Sequence, residues 1–170
     1  MPALLVPVDG SVHALKALHV ACDLADKYGG QVALLHVLDH NRLAEKILGL
    51  PVAGTFASEL TAALKKAVQD TGQGGPDGAH KPIPEKVLTM IGEKILAEAD
   101  FKVRRRGLET VVLEIVKGDP AENILDAAAD VGANTIVMGC RGQNDEGSSG
   151  FGSVSHKVFE TANCTCISVK

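Results

Sequence analysis

Three glycines and a serine near the C-terminal end of the chain have the spacing of a phosphate-binding backbone. Two residues separate Gly139 from Gly142, and nine separate Gly142 from Gly152-Ser153. Glycine allows a backbone to approach phosphate oxygens closely, and a helix N-terminus offers unpaired N–H groups and the positive end of a dipole. Ser153 opens a predicted helix, so its hydroxyl either caps that helix or donates to a phosphate.

Asp9 is the second candidate for chemistry, because it follows the first apolar run of the chain in the sequence Pro7-Val8-Asp9-Gly10. A carboxylate at the carboxyl end of a strand can accept hydrogen bonds from a sugar hydroxyl or an exocyclic amine. It can equally serve as a turn residue or helix cap before Ser11. Both interpretations stay open at this point.

Apolar runs alternate with amphipathic stretches along the chain and determine where these residues must lie. The runs that predict strands are Ala3–Val8, Gln31–Val37, Val111–Val116, Thr135–Met138 and Thr165–Val169. Helices are predicted over Ala14–Tyr28, Thr55–Val68, Glu85–Arg106, Pro120–Val131 and Ser153–Thr161. This alternation is typical of an α/β fold, a doubly wound parallel sheet with helices on both faces. Ligands of such sheets bind beyond the carboxyl ends of the strands where the strand order reverses, so the segments after the first and fourth strands should meet there.

Length and composition set the expected domain organisation. A chain of 170 residues is expected to form a single domain, 1–170. Four Gly and three Pro in the fourteen residues 71–84 predict a flexible loop at about 70–84.

Charge and hydropathy bear on the class of partner. The formal net charge is −4, which argues against nucleic acid as a partner. The basic cluster Lys102, Arg104, Arg105 and Arg106 is interpreted as the solvated last turn of a helix, with a nucleic-acid patch as the alternative. The chain shows neither a basic and apolar leader nor a run of about 18 apolar residues. We therefore expect a cytoplasmic protein without membrane association, whose four cysteines are reduced.

The glycine spacing reproduces the G-x2-G-x9-G-[S/T] pattern, and on these residues the chain resembles the nucleotide-binding universal stress proteins. The likeness extends over most of the chain apart from the region between Asp39 and about Pro84. It includes the segments Leu4–Ser11, Gly118–Pro120, Ile136–Gly139 and Gly152–Val158, and a closing strand.

The resemblance implies a ligand and a set of contacts. The ligand is ATP or AMP, with Mg²⁺ as a companion of ATP, bound in a Rossmann-like sheet of five parallel strands in the order 3-2-1-4-5. Asp9 and Val37 are expected to contact adenine or ribose, and Pro7 and Met138 to line the base pocket together with Val8. The residues expected to hold ribose and phosphates are Gly139, Arg141, Gly142, Gly152, Ser153 and Val154. The last strand is expected to pair with its twofold mate in a homodimer.

We predict a regulatory or stress-response binding module and keep two alternatives open, a slow ATPase or nucleotide-transforming enzyme and a dimeric interaction protein with an empty pocket. No catalytic residue or metal ligand is predicted, because the chain contains neither a P-loop G-x-x-x-x-G-K-[ST] nor a Ser-His-Asp arrangement that announces itself. The nucleotide-loaded state of such a module would be recognised by a downstream protein partner.

Several other polar residues have both a structural and a chemical interpretation. Asp145 and Glu146 would repel phosphates unless a divalent cation intervenes, and solvated loop charges are the alternative. His36, His40 and His156 are expected to be structural or solvated. Cys164 and Cys166 are expected to pack in buried or half-buried positions, and Cys140 to pack between strand and loop, with a redox role for Cys140 as the alternative.

Overall fold

The structure, a computed structural model, describes residues 3–38, 85–142 and 150–170. The predictions for the helix at 55–68, the loop at about 70–84, His40, Asp145 and Glu146 lie outside these residues.

Five parallel strands form one sheet in the described part of the chain. They are β1 (Ala3–Pro7), β2 (Gln31–Leu38), β3 (Thr110–Lys117), β4 (Ala133–Gly139) and β5 (Thr165–Val169). Their order is β3-β2-β1-β4-β5, which confirms the predicted Rossmann-like arrangement. All four neighbouring pairs are parallel. The chain moves outward from β1 to β3 on one side and from β4 to β5 on the other, so the strand order reverses between β1 and β4.

Four helices of the described residues cover the two faces of the sheet. They are α1 (Val12–Tyr28), α2 (Glu85–Arg104), α3 (Pro120–Asp130) and α4 (Ser153–Thr161). Leu4 and Val6 of β1 pack with α1 and α2, whereas Leu5 packs with α3 and α4. This alternation follows from the period-2 geometry of a strand, and it places an aliphatic core on each side of the sheet.

Local capping explains where two of the helices begin. The Ser11 hydroxyl accepts a hydrogen bond from the Ala14 N–H at 3.1 Å and starts α1. The Asp119 carboxylate accepts one from the Glu122 N–H at 2.9 Å and starts α3 at Pro120, as the sequence predicts. These caps begin α1 and α3 directly after the carboxyl ends of β1 and β3.

Element ends differ from prediction by one or two residues in several places. The strand predicted to reach Val8 ends at Pro7, although the Val8 N–H still donates to the Leu35 carbonyl at 2.8 Å. The helix predicted to reach Arg106 ends at Arg104, because a turn follows and Gly107 takes a φ of 75°. Glycine adopts positive φ without steric cost and commonly follows the end of a helix in this conformation.

The basic cluster at the end of α2 is largely paired with carboxylates. Lys102 lies 3.4 Å from Glu98, Arg104 2.8 Å from Asp100 and Arg106 2.6 Å from Asp23 of α1. The Arg105 guanidinium lies over the Phe101 ring. These contacts agree with a solvated helix end. No helix in the described ranges is long and apolar enough to cross a membrane.

Candidate functional site

A cleft opens at the carboxyl ends of β1 and β4, where the strand order reverses, and encloses about 140 Å³. The eleven residues proposed from the sequence all line it: Pro7, Val8, Asp9, Val37, Met138, Gly139, Arg141, Gly142, Gly152, Ser153 and Val154. The sequence prediction omitted five further lining residues: Ala14, Leu35, Pro120, Ile124 and Ser155. Segments far apart in the chain therefore meet in one cleft, as expected for the crevice of a doubly wound sheet.

The inner wall of the cleft is aliphatic. Leu35 and Met138 are buried, and both pack in the core cluster on the α3 and α4 side of the sheet together with Ile124. Val37 is partly buried beside them. Sequence reasoning missed Leu35 because its place on the cleft side depends on strand register, and it missed Ile124 because that side chain arrives from a helix on the far side of the cleft.

Asp9 has the turn role that the sequence left open, and it also lines the cleft. Its Oδ1 accepts a hydrogen bond from the Ser11 N–H at 2.9 Å, so the carboxylate shapes the turn between β1 and α1. Gly10 takes a φ of 83° in that turn. The Oδ2 atom faces Gly142, where an added Cβ would lie 3.1 Å from it. The carboxylate therefore lies between the turn after β1 and the segment that contains Gly142.

The glycines of the G-x2-G-x9-G-[S/T] pattern do not require a left-handed backbone. Gly139, Gly142 and Gly152 are absent from the positive-φ glycines of the described residues, and Gly152 has a φ of −68° and a ψ of 156°. At Gly139 an added Cβ would lie 2.7 Å from His13 Cβ and 2.9 Å from the His13 carbonyl carbon. Close approach is therefore the reason for glycine at 139, and the neighbour is helix α1.

Helix α4, whose first turn lines the cleft, does not begin with a serine cap. Gly152 is the N-cap of α4, and Ser153 is its first helical residue, without a side-chain cap. The interpretation of Ser153 as the cap is therefore wrong. The Gly152 N–H donates to the Cys140 carbonyl at 2.8 Å, and the Arg141 Nε donates to the Gly150 carbonyl at 3.0 Å. These two bonds hold Cys140 and Arg141, which follow β4, close to Gly150 and Gly152, which precede α4. We call this junction the neck.

Charged groups next to the cleft form a small network at its α3 side. Lys157 of α4 donates to Asp119 at 3.2 Å and to Glu122 at 3.0 Å. The hydrogen bond from the Glu122 N–H lowers the pKa of Asp119 below its ordinary value of 3.8, and the hydrogen bond from Lys157 lowers this pKa further. The network joins the N-terminus of α3 to α4, the two helices that bound this side of the cleft.

Two of the histidines singled out in the sequence, His36 and His156, lie within the described residues, one buried and one exposed. His36 is buried, and its Nδ1 lies 2.7 Å from the Val8 carbonyl oxygen. His156 is exposed, 3.3 Å from Glu160. Cys140 is buried at the neck beside the cleft, and burial raises the pKa of the half-buried Cys166 thiol. Within 3–38, 85–142 and 150–170, no group of three His, Cys, Asp or Glu side chains could hold a metal ion.

Comparison with known proteins identifies the family. The sequence model of the universal stress protein family matches residues 1–170, so the chain belongs to this family. The universal stress protein YxiE of Bacillus subtilis is 29% identical over 174 residues, which cover 98% of this chain and 97% of that protein. A universal stress protein of Thermus aquaticus is 30% identical over 167 residues, covering 98% and 97%.

A solved structure has a similar fold. The universal stress protein from Archaeoglobus fulgidus in complex with dAMP superposes with a TM-score of 0.61 at 25% identity. The match covers 100% of this chain and 98% of that one. The family resemblance deduced from the glycine pattern is thus confirmed.

Proposed function

We propose that this protein binds an adenine nucleotide, AMP or ATP, in the cleft at the ends of β1 and β4, and that it acts as a binding module for stress regulation. The observation that carries the proposal is the convergence of the complete G-x2-G-x9-G-[S/T] pattern with Asp9 in one cleft. The relative from Archaeoglobus fulgidus is a complex with dAMP, which supports an adenine nucleotide as the ligand.

The walls of the cleft suit the two ends of such a ligand. The aliphatic side formed by Val37, Met138 and Ile124 offers an apolar surface to a flat base. The Asp9 carboxylate at the edge of that surface can accept hydrogen bonds from ribose hydroxyls or from the exocyclic amine. Adenine and ribose would therefore occupy the β1 side of the cleft.

Phosphates would lie on the α4 side of the cleft. Helix α4 is nine residues long, and its first residues, Ser153 and Val154, line the cleft together with Gly142. Arg141 is the cation among the lining residues of the described part. The enclosed space of about 140 Å³ is smaller than the roughly 300–1,000 Å³ of pockets that enclose whole ligands. The phosphate chain would thus extend along the open mouth of the cleft.

Binding rather than turnover is the proposed activity, with Mg²⁺ as a companion of ATP. Phosphoryl transfer needs groups aimed at charge that develops on the γ-phosphate, and a lysine is usual among them. The lining residues in the described ranges include no lysine. Backbone N–H groups bind the ground state and the transition state about equally, which contributes affinity without rate.

Replacement of Gly152 by Val tests the proposal. The backbone at Gly152 has angles that valine tolerates, so the variant should fold. Its branched side chain would occupy the space of a phosphate oxygen and abolish AMP binding in titration calorimetry. The matched control is Gly150→Val, since an added Cβ at Gly150 meets nothing within 4 Å. This control should keep its affinity within about twofold. Unchanged affinity in folded Gly152→Val would refute the assignment of the phosphates to α4.

We also propose that the protein forms a homodimer through β5. This strand is at one edge of the described sheet, and four of its five residues are only half-buried. Unpaired N–H and C=O groups at such an edge favour pairing with another strand. Pairing of β5 with its own copy would be an isologous contact, in which the same patch serves both subunits.

A further inference from the structure

Ser155 is a buried polar residue on the face of α4 that packs against the sheet. Its exposed fraction is 3%, and Val158, one turn further along the same face, is fully buried. A hydroxyl in such a place needs a hydrogen-bond partner, because an unsatisfied buried polar group is costly. The partners that it finds connect α4 to β4.

The Ser155 hydroxyl has two carbonyl acceptors. Its Oγ lies 2.8 Å from the Cys140 carbonyl oxygen and 2.9 Å from the Gly152 carbonyl oxygen. A hydroxyl has one proton, so it donates to the two in a shared or alternating manner. The bond to Gly152 is local to the first turn of the helix. The bond to Cys140 spans fifteen residues and joins the start of α4 to the residue after β4.

Cys140 is the point at which several hydrogen bonds meet. Its carbonyl also accepts the Gly152 N–H at 2.8 Å, and its own N–H donates to the Val169 carbonyl at 2.8 Å. Cys140 lies between Gly139 and Gly142, which face the cleft, and Gly152 begins the helix that faces it. The Ser155 hydroxyl and the Gly152 N–H therefore both connect the start of α4 to the residue after β4, and the Cys140 N–H connects that residue to β5.

We propose that Ser155 is a positioning residue for the phosphate half of the nucleotide site, an inference that rests on the proposed function. Its side chain aims the first N–H groups of α4 at the place where the phosphates would lie. The base half of the cleft is formed by Asp9, Val37, Met138 and Ile124, and none of these residues takes part in the hydrogen bonds of Ser155. Loss of the hydroxyl should thus weaken the binding of a phosphate and leave the binding of the nucleoside unchanged.

The substitution Ser155→Ala separates this role from a general structural one. Both carbonyls keep another donor in the variant, since Gly152 N–H still reaches Cys140 and His156 N–H still reaches Gly152 at 2.9 Å. No buried acceptor is left unsatisfied, so the fold should persist. The control Thr161→Val removes a hydroxyl of the same helix that donates to the Lys157 carbonyl at 2.7 Å, on an exposed face away from the neck.

Affinities for adenosine and AMP, measured by titration calorimetry in each variant, test the inference. We expect Ser155→Ala to bind AMP about three- to tenfold more weakly than the wild type and to bind adenosine unchanged. Ser155→Thr, which keeps the hydroxyl, should restore AMP binding, and Thr161→Val should behave as the wild type. Independently of any ligand, amide exchange at Gly152 should accelerate in Ser155→Ala more than exchange in β1 does.

The outcomes distinguish this inference from the proposed function. An AMP-to-adenosine affinity ratio in Ser155→Ala equal to that of the wild type would overturn the positioning role alone. Equal losses of affinity for AMP and adenosine in Ser155→Ala, or unchanged amide exchange at Gly152, would also overturn the positioning role. A wild-type protein that binds neither ligand would overturn the proposed function and this inference together.

Discussion

Gly139 has no room for a side chain where β4 meets the start of α1. The distances from an added Cβ to His13 are 2.7 Å to Cβ and 2.9 Å to the carbonyl carbon, and the second atom belongs to the backbone. A backbone neighbour cannot rotate away, so a methyl group would push α1 off the sheet. The first glycine of the pattern is therefore needed for the fold, whether or not a ligand is bound.

Substitution of Gly139 by Ala should lower the free energy of unfolding by about 1–3 kcal/mol, the usual cost of overpacking. Urea denaturation of the protein without nucleotide measures this loss. Gly150→Ala is the control, because its Cβ would meet nothing within 4 Å, and it should stay within about 0.5 kcal/mol of the wild type. Equal stability of the two variants would show that the contact with His13 relaxes at no cost.

The sequence is enough to place Asp9 in the cleft, but it does not predict the hydrogen bonds of Ser155. Asp9 follows an apolar run, and the rule for ligand sites in parallel sheets is enough to place it in the cleft. Ser155 carries no such signal, because its partner Cys140 is fifteen residues away and becomes a neighbour only in the fold. The one hint is a serine on the same helical face as Val158, where an apolar residue would be expected.

Helix α3 borders the cleft and, at its N-terminus, takes part in a network of charged side chains. Asp119 caps α3 and also pairs with Lys157 of α4. Both interactions favour the ionised carboxylate, so the pKa of Asp119 lies below 3.8 in the folded protein. The stability that Asp119 contributes is therefore present above pH 3.8 and is lost as the pH falls through the folded pKa.

The variant Asp119→Asn should lose less stability between pH 4 and pH 2 than the wild type does, because its side chain can still cap the helix but does not titrate. Urea unfolding at a series of pH values measures the slope. Lys157→Met is the companion variant: it keeps the cap and removes the cation, so its slope should lie between the other two. The same acid slope in all three proteins would contradict the pKa assignment.

The strands and helices of the described residues were predictable to within a few residues because their signals are local. Buried strands appear as short runs such as Leu4-Leu5-Val6, and the caps at Ser11 and Asp119 bind N–H groups three residues away. The N-cap of α4 does not follow from the local sequence, because Gly152 and Ser153 are both acceptable caps. Tertiary hydrogen bonds at Cys140 decide between them, and a local rule does not include such bonds.

At the scale of the whole molecule, the order of the strands follows from the alternation of elements and the family pattern, and the structure confirms it. The single domain over 1–170 stays a prediction, as does the homodimer. The proposed homodimer depends on the outer edge of β5. Because the Val169 carbonyl accepts from Cys140, the backbone groups of Val169 face β4, and those of Ser168 face outward.

Replacement of Ser168 by Pro should convert the homodimer to a monomer in light scattering. Proline removes an outward-facing N–H and leaves the bonds to β4 intact. The Ser168 hydroxyl has no hydrogen-bond partner among the described residues, so the control Ser168→Ala should remain a dimer. A wild type that is monomeric at high micromolar concentration would contradict pairing through β5.

An NMR titration of the ¹⁵N-labelled protein with AMP and ATP shows whether the cleft between β1 and β4 binds an adenine nucleotide. We expect saturable shifts of the backbone amides of Asp9, Gly142 and Gly152, which line the cleft, and none at Lys102, which lies at the end of α2. The contrary result is an absence of shifts at about 1 mM nucleotide, or shifts confined to residues outside the cleft.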